Sequence, residues 1–137
     1  MTTTRIEVRV YYEDTDFSGV VYHARYLHFF ERGRTEALRA AGVSHTDLLA
    51  REEPLAFAVR KMNVFWKAPA KIDDLLVVET KFQSLRGARM ELSQVINRDG
   101  VMLASAEVEA ACMALSGAPR RLPEDVRDRL LNGSPEN

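Results

Sequence analysis

The segment YYEDTDFSGVVYHARY, from Tyr11 to Tyr26, concentrates Glu13, Asp14 and Asp16 just ahead of Gly19 and His23. A carboxylate in such a segment can attack an activated carbonyl as a nucleophile, or take a proton from an attacking water. Either role needs an electrophile held close by. The spacing predicts a helix beginning near Tyr22 or His23, with no Ser, Thr, Asp or Asn directly before its first turn to cap the backbone N–H groups. A carbonyl oxygen placed there would gain from the free amides and from the helix dipole, increasingly so as negative charge develops on it. The backbone N–H of His23 is the expected main donor. The same composition also reads as an ordinary strand-to-helix connection, because Asp, Thr and Gly are common turn and cap residues.

Other chemistries find less support. His23 and His28 stand i, i+5, a poor match to the i, i+4 spacing of helical zinc pairs, so no metal is expected. Cys112 lies in the apolar run Ala110-Ala111-Cys112-Met113-Ala114-Leu115 and reads as a buried, inert thiol. One cysteine cannot form an internal disulfide, which points to a reducing cytosol. A net charge of -1 gives no field for drawing nucleic acid by counterion release. No apolar run approaches the roughly 20 residues that cross a bilayer. Met1-Thr2-Thr3-Thr4-Arg5 leads straight into alternating sequence without a signal-like apolar core, so export is not expected and the compartment reads as cytoplasmic.

The chemistry-bearing segment must be held by the elements around it. Ile6, Val8, Val10 and Tyr12 alternate with Arg5, Glu7, Arg9 and Tyr11, the period of a strand with one wet face. The long helix runs from about Tyr22 to Ala41, with Leu27, Phe30, Arg34, Ala37, Leu38 and Ala41 as its stripe and Gly42 as its stop. With Phe29 and Phe30 both present, its apolar surface is wide enough to be buried against a sheet. Gly33 in its interior costs about 1 kcal/mol relative to Ala, which predicts the close approach of another backbone. Ser44 caps a short turn through Leu49, with Asp47 completing a weak capping box.

Four further strands follow, near Leu55–Lys67, Leu75–Leu85, Ala88–Arg98 and Val101–Ser116, separated by Pro69 with Asp73-Asp74, by Arg86-Gly87 and by the hairpin signal Asp99-Gly100. Pro123-Glu124-Asp125 starts a closing helix through Leu131, and Asn132-Gly133-Ser134-Pro135 should fray. The chain reads as a single domain over residues 1–137, an α+β arrangement in which a curled, mainly antiparallel five-stranded sheet wraps one long helix. Open sheet edges in such a design predict homo-oligomerisation.

Tyr12 through Tyr26, followed by Phe30-Glu31-Arg32-Gly33-Arg34-Thr35-Glu36, resembles the signature of the YbgC-type thioesterases, in the 4-hydroxybenzoyl-CoA thioesterase group of hotdog-fold proteins. Arg60-Lys61-Met62-Asn63-Val64 and Pro69-Ala70-Lys71-Ile72-Asp73-Asp74-Leu75 fit it too, so the likeness spans nearly the whole chain. The resemblance implies hydrolysis of an acyl-CoA thioester without a cofactor, CoA being part of the substrate. It places the catalytic carboxylate on Asp16, the oxyanion amide at His23 and a supporting role on Asp14. Tyr12, Phe17, Gly19, Val20 and Tyr26 become expected substrate contacts. Where many relatives read Asp-Ala-Gly-Gly, this chain reads Asp16-Phe17-Ser18-Gly19, so the bulk of Phe17 bears on which acyl groups fit.

The resemblance also implies a dimer or homotetramer with active sites between subunits. Lys67, Arg86 and Arg89, with Arg120 and Arg121 behind them, are the expected partners of CoA phosphates. Two competing readings are a catalytically silent hotdog protein that binds acyl groups or scaffolds partners, and a hotdog dehydratase acting on carrier-protein substrates. An intact Asp16 argues against the first, and the lack of a suitably placed His and acid pair against the second.

Overall fold

A computed structural model describes residues 2–132. Gly133, Ser134 and Pro135, expected to fray, lie outside the described residues. Strand β1 (Thr3–Arg9) leads through a tight 3-10 turn, Tyr12–Asp14, to the long helix α1 (Arg25–Ala40) and a one-turn helix α2 (His45–Leu49). Strands β2 (Leu55–Trp66), β3 (Leu75–Arg86), β4 (Arg89–Arg98) and β5 (Val101–Ala114) follow, and α3 (Glu124–Asn132) closes the order. The strands form one sheet in the order β1-β3-β4-β5-β2, with every pairing antiparallel.

Alternation fixes which face of the sheet meets the helix. Leu76, Val78, Thr80 and Phe82 of β3 and Met90, Leu92, Gln94 and Ile96 of β4 are buried, while their neighbours are more exposed. Register shifts at Val59/Lys61, Phe82/Ser84 and Ile96/Asn97 mark bulges that bend the strands, and the bent sheet folds around α1. The turn at Asp99-Gly100 has φ of 51° and 79°, the two positive values a type I′ hairpin needs. At the end of α1, Val43 N–H reaches Leu38 O and Gly42 N–H reaches Arg39 O, with Gly42 at φ 83°. This Schellman motif is the stop expected at Gly42.

Several local expectations are corrected. β1 ends at Arg9, not Tyr12, because Val10 instead exchanges backbone hydrogen bonds with Asp73 and Asp74. Helix α1 begins at Arg25, after a turn closed by Arg25 N–H to Tyr22 O at 2.8 Å. Its buried face carries Tyr26, Phe29, Phe30, Gly33, Ala37 and Leu38, and Leu27 lies exposed. Gly33 is approached by side chains, not backbone: a Cβ there would stand 2.7 Å from Val78 Cγ1 and 2.8 Å from Thr80 Oγ1. Ser44 caps α2 by accepting from Asp47 N–H, but no reciprocal bond from the Asp47 side chain forms among the described residues.

Beside Gly33 the core holds a polar network. Gln94, 1% exposed, donates to Phe30 O at 2.9 Å and Thr80 Oγ1 at 2.8 Å, and accepts from Arg34 Nη1 at 3.0 Å. A buried amide so satisfied fixes the depth and rotation of α1 against β3 and β4.

Candidate active site

The stretch from Thr15 to Val21 is a small hairpin. Thr15 bridges Val21, Asp16 N–H donates to Val20 O at 2.9 Å, and Gly19 turns the chain at φ 87°. Val21 N–H to Ala70 O and the bridge between Val20 and Lys71 tie the hairpin to the loop before β3. Asp14, 7% exposed, anchors its base. The Asp14 carboxylate accepts from Tyr11 N–H at 2.8 Å and faces Arg25 Nε at 3.2 Å, while its carbonyl accepts from Tyr22 N–H.

Held this way, Asp16 presents its carboxylate at the surface. One carboxylate oxygen accepts both the Ser18 hydroxyl and the Ser18 N–H, the latter at 2.8 Å. These two bonds, the hydroxyl foremost, hold the Asp16 carboxyl below the usual carboxylate range, with smaller help from Val20 N–H and the charge of His23. Asp16 is therefore ionised at neutral pH. Its second carboxylate oxygen carries no hydrogen bond among the described residues.

The entrance of α1 lies beside it. The N-cap Ala24 has no side-chain cap, and the N–H groups of His23 and Ala24 find no acceptor among the described residues. The His23 carbonyl accepts from the Trp66 indole N–H at 3.2 Å, which pins the peptide whose other end is the Ala24 N–H. Val21, His23, Tyr26, Trp66 and Lys67 line a hollow of about 270 Å³ at this entrance. Asp16 lines a neighbouring one with Tyr22 and His28. An exposed anion thus stands near two unoccupied amides, an arrangement able to activate water or attack a carbonyl whose oxygen those amides receive.

The other expected site residues divide by position. Tyr12, Phe17, Gly19 and Val20 lie on or at the base of the hairpin, with Tyr12 and Phe17 fully open to solvent. Tyr26 is only 2% exposed, and its hydroxyl accepts from Ala70 N–H at 3.0 Å, so its ring backs the hollow and anchors the loop. Lys67 joins the entrance. Arg86 and Arg89 do not: they flank the β3–β4 turn, at the end of β3 away from Leu75 and the hairpin. Burial pushes the Cys112 thiol up, as expected of an unreactive cysteine.

Three residues escaped the sequence reading: Ser18, Trp66 and Arg25. Asp16-Phe17-Ser18 carries a usable signal, since an Asp side chain bonding the N–H two residues on is an Asx turn. Trp66 comes from a distant strand and leaves no local trace.

Comparison with known proteins identifies the family. The thioesterase superfamily profile matches residues 18–105, beginning just past Asp16. Acyl-CoA thioesterase YbgC of Haemophilus influenzae is 48% identical over 121 residues, 88% of each chain. Acyl-CoA thioester hydrolase YbgC of Escherichia coli is 47% identical over 130 residues, covering 92% of this chain and 96% of that one. A probable thioesterase from Bartonella henselae superposes with a TM-score of 0.87 at 48% identity, covering 89% of this chain and all of the other. With its curled antiparallel sheet around one helix, and relatives of this closeness across nearly its full length, the chain belongs to the thioesterase superfamily of hotdog proteins, in its YbgC branch.

Proposed function

We propose that this enzyme hydrolyses an acyl-CoA thioester to a carboxylic acid and CoA, with Asp16 as the catalytic carboxylate. The thioester carbonyl oxygen sits at the His23 N–H, with the Ala24 N–H beside it. Asp16 either takes the proton of an attacking water or attacks the carbonyl carbon itself. In the first case a tetrahedral intermediate expels CoA thiolate, which recovers the proton. In the second the C–S bond breaks as an acyl–Asp16 anhydride forms, CoA leaves as the thiolate, and water cleaves the anhydride to the free acid and Asp16 while the thiolate takes up a proton from that water. The amides act at the point where the oxygen gains charge. The observation that carries the reading is the ionised, exposed Asp16 carboxylate next to amides that find no acceptor among the described residues.

The catalytic unit in this reading is a dimer or tetramer. β3 runs for about 30 Å or more between the hairpin end and Arg86 at a strand rise of roughly 3.3 Å per residue. Arg86 and Arg89 of the same chain are thus remote from Asp16, and we assign them to the CoA phosphates of a neighbouring copy's site, with Lys67 acting on its own. The exposed Tyr12, Phe17, Tyr22 and Trp66 around the entrance fit a surface covered by another copy. We place the activity in the cytoplasm, where CoA thioesters are made. Among the described residues no helix is long and apolar enough to cross a membrane.

The test is free-thiol release from acyl-CoAs of increasing length, aromatic members included, for wild type and Asp16→Asn. Loss of about 100-fold or more in kcat is expected for the variant. Unchanged turnover would remove Asp16 from the mechanism, and no turnover by wild type on any CoA ester would favour a silent acyl-binding protein.

A further inference from the structure

About 14 Å along α1 from its entrance, at 1.5 Å rise per residue, a second cavity opens. It measures about 290 Å³ and lies between α1, the start of α2 and the inner face of the sheet. That is near the lower end of the roughly 300–1,000 Å³ typical of small-molecule sites. Its floor is apolar, built by Phe57, Phe82, Met90 and Leu92, and Arg34 projects onto it from α1.

Arg127 and Arg129, part-buried without a carboxylate partner among the described residues, reach the backbone carbonyls of Leu85 and Gly42, whereas Arg34 lines a cavity. Arg25, Arg51 and Arg98 each meet a carboxylate: Asp14, Asp125 and Asp74. Arg34 has no carboxylate within ion-pair distance among the described residues, and its one hydrogen bond there goes to the neutral Gln94 amide. Burial lowers its pKa, and Glu31, exposed at the cavity mouth one turn earlier, opposes that only through space. A poorly solvated guanidinium keeps most of its five donors available and gains most from an anion that presents two oxygens in its plane.

We propose that this cavity binds a carboxylate carried on a short apolar stem, its head paired with Arg34 and its stem laid on Phe57, Phe82, Met90 and Leu92. Two sources share that chemistry. One is a free carboxylic acid, the product class of the proposed reaction; the other is the far end of an acyl group that bears a second carboxylate. His45 and Thr35, whose side chains meet at 3.5 Å at the rim, and Glu31 bound the entry.

The binding arm does not depend on the thioesterase reading. Hexanoate and its neutral isostere hexanamide are titrated into the oligomeric protein, followed by calorimetry and by amide shifts. Hexanoate should shift the amides of Thr35, His45 and Phe57, and bind about tenfold tighter than hexanamide. Arg34→Met should abolish that difference. Glu31→Gln, at an exposed position where folding is not at stake, should tighten hexanoate by removing a competing negative charge. The kinetic arm rests on the thioesterase reading and compares kcat/KM for dodecanedioyl-CoA with dodecanoyl-CoA, whose extended chains are long enough to run from the α1 entrance to the cavity. A preference for the dodecanedioyl ester that Arg34→Met removes assigns the site to the acyl terminus, and charge-dependent hexanoate binding without that preference assigns it to the free acid. If hexanoate binds no better than hexanamide and the dodecanedioyl ester is not preferred, the proposal is overturned. Thiol release from dodecanoyl-CoA in the same assay shows whether the thioesterase reading itself stands.

Discussion

Ser18 gives its hydroxyl and its amide to the same oxygen of Asp16, and this arrangement lowers the pKa of an exposed carboxyl. The consequence has a definite sign. In the proposed reaction Asp16 works only when ionised, so activity should fall as the pH drops through its pKa, and a lowered pKa moves that loss to more acidic conditions. Ser18→Ala removes the largest stabilising bond, so the acid limb of kcat/KM should shift upward toward the ordinary aspartate range, with little change above neutrality. Profiles of wild type and variant from pH 3 to 8, on one acyl-CoA, measure it; superimposable acid limbs would detach Ser18 from the chemistry. Asp14, two residues away, is buried and faces Arg25, so its part is to hold the hairpin.

At the scale of elements, α1 is set by what touches Gly33. Replacing Gly33 with Ala gains about 1 kcal/mol of helix propensity but drives a methyl against Val78, Thr80 and Gln94, and overpacking of this kind costs about 1–3 kcal/mol. Val78 and Thr80 are β-branched and stiff, so the clash should win. A net loss of up to about 2 kcal/mol is expected, read as a lower urea midpoint at unchanged m-value. The sequence showed that Gly33 needed a close neighbour but not that the neighbours were side chains, because they come from β3 and β4. Local signals carried much of the architecture: Asp99-Gly100 announced its hairpin, Gly42 its helix stop and the alternation in β3 and β4 its faces. The start of α1 was misjudged because Tyr22-His23-Ala24 forms a turn whose carbonyls already resemble a helix, and Leu27 was assigned inward because the true stripe is one residue out of phase with it. The uncapped entrance was legible from the missing cap residues near His23. Trp66 and the separation of Arg86 from Asp16 were not, since both depend on strand pairing.

For the whole molecule, the sheet has two open edges, β1 and β2, and two of the expected basic partners of the substrate, Arg86 and Arg89, lie at the β3–β4 turn, far from the Asp16 of the same chain. The proposed assembly would resolve both. If one chain supplies Asp16 and another supplies Arg86 and Arg89, two separately crippled chains can rescue each other. Asp16→Asn and the double variant Arg86→Glu with Arg89→Glu should each be inactive alone. Unfolded and refolded together in equal amounts, they should regain about a quarter of wild-type activity, because half the random dimers are mixed and each holds one sound site of two. No recovery, with mixed oligomers confirmed by native mass spectrometry, would place the arginines outside the neighbour's site.

The chain contains one tryptophan, and Trp66 is bound through its indole N–H to the carbonyl of His23. All indole emission therefore originates at the mouth of α1, where the thioester is expected to dock. Quenching or a spectral shift on adding a ligand reports occupancy of that mouth without any attached label. A compound that binds while leaving the emission untouched must be seated elsewhere in the fold.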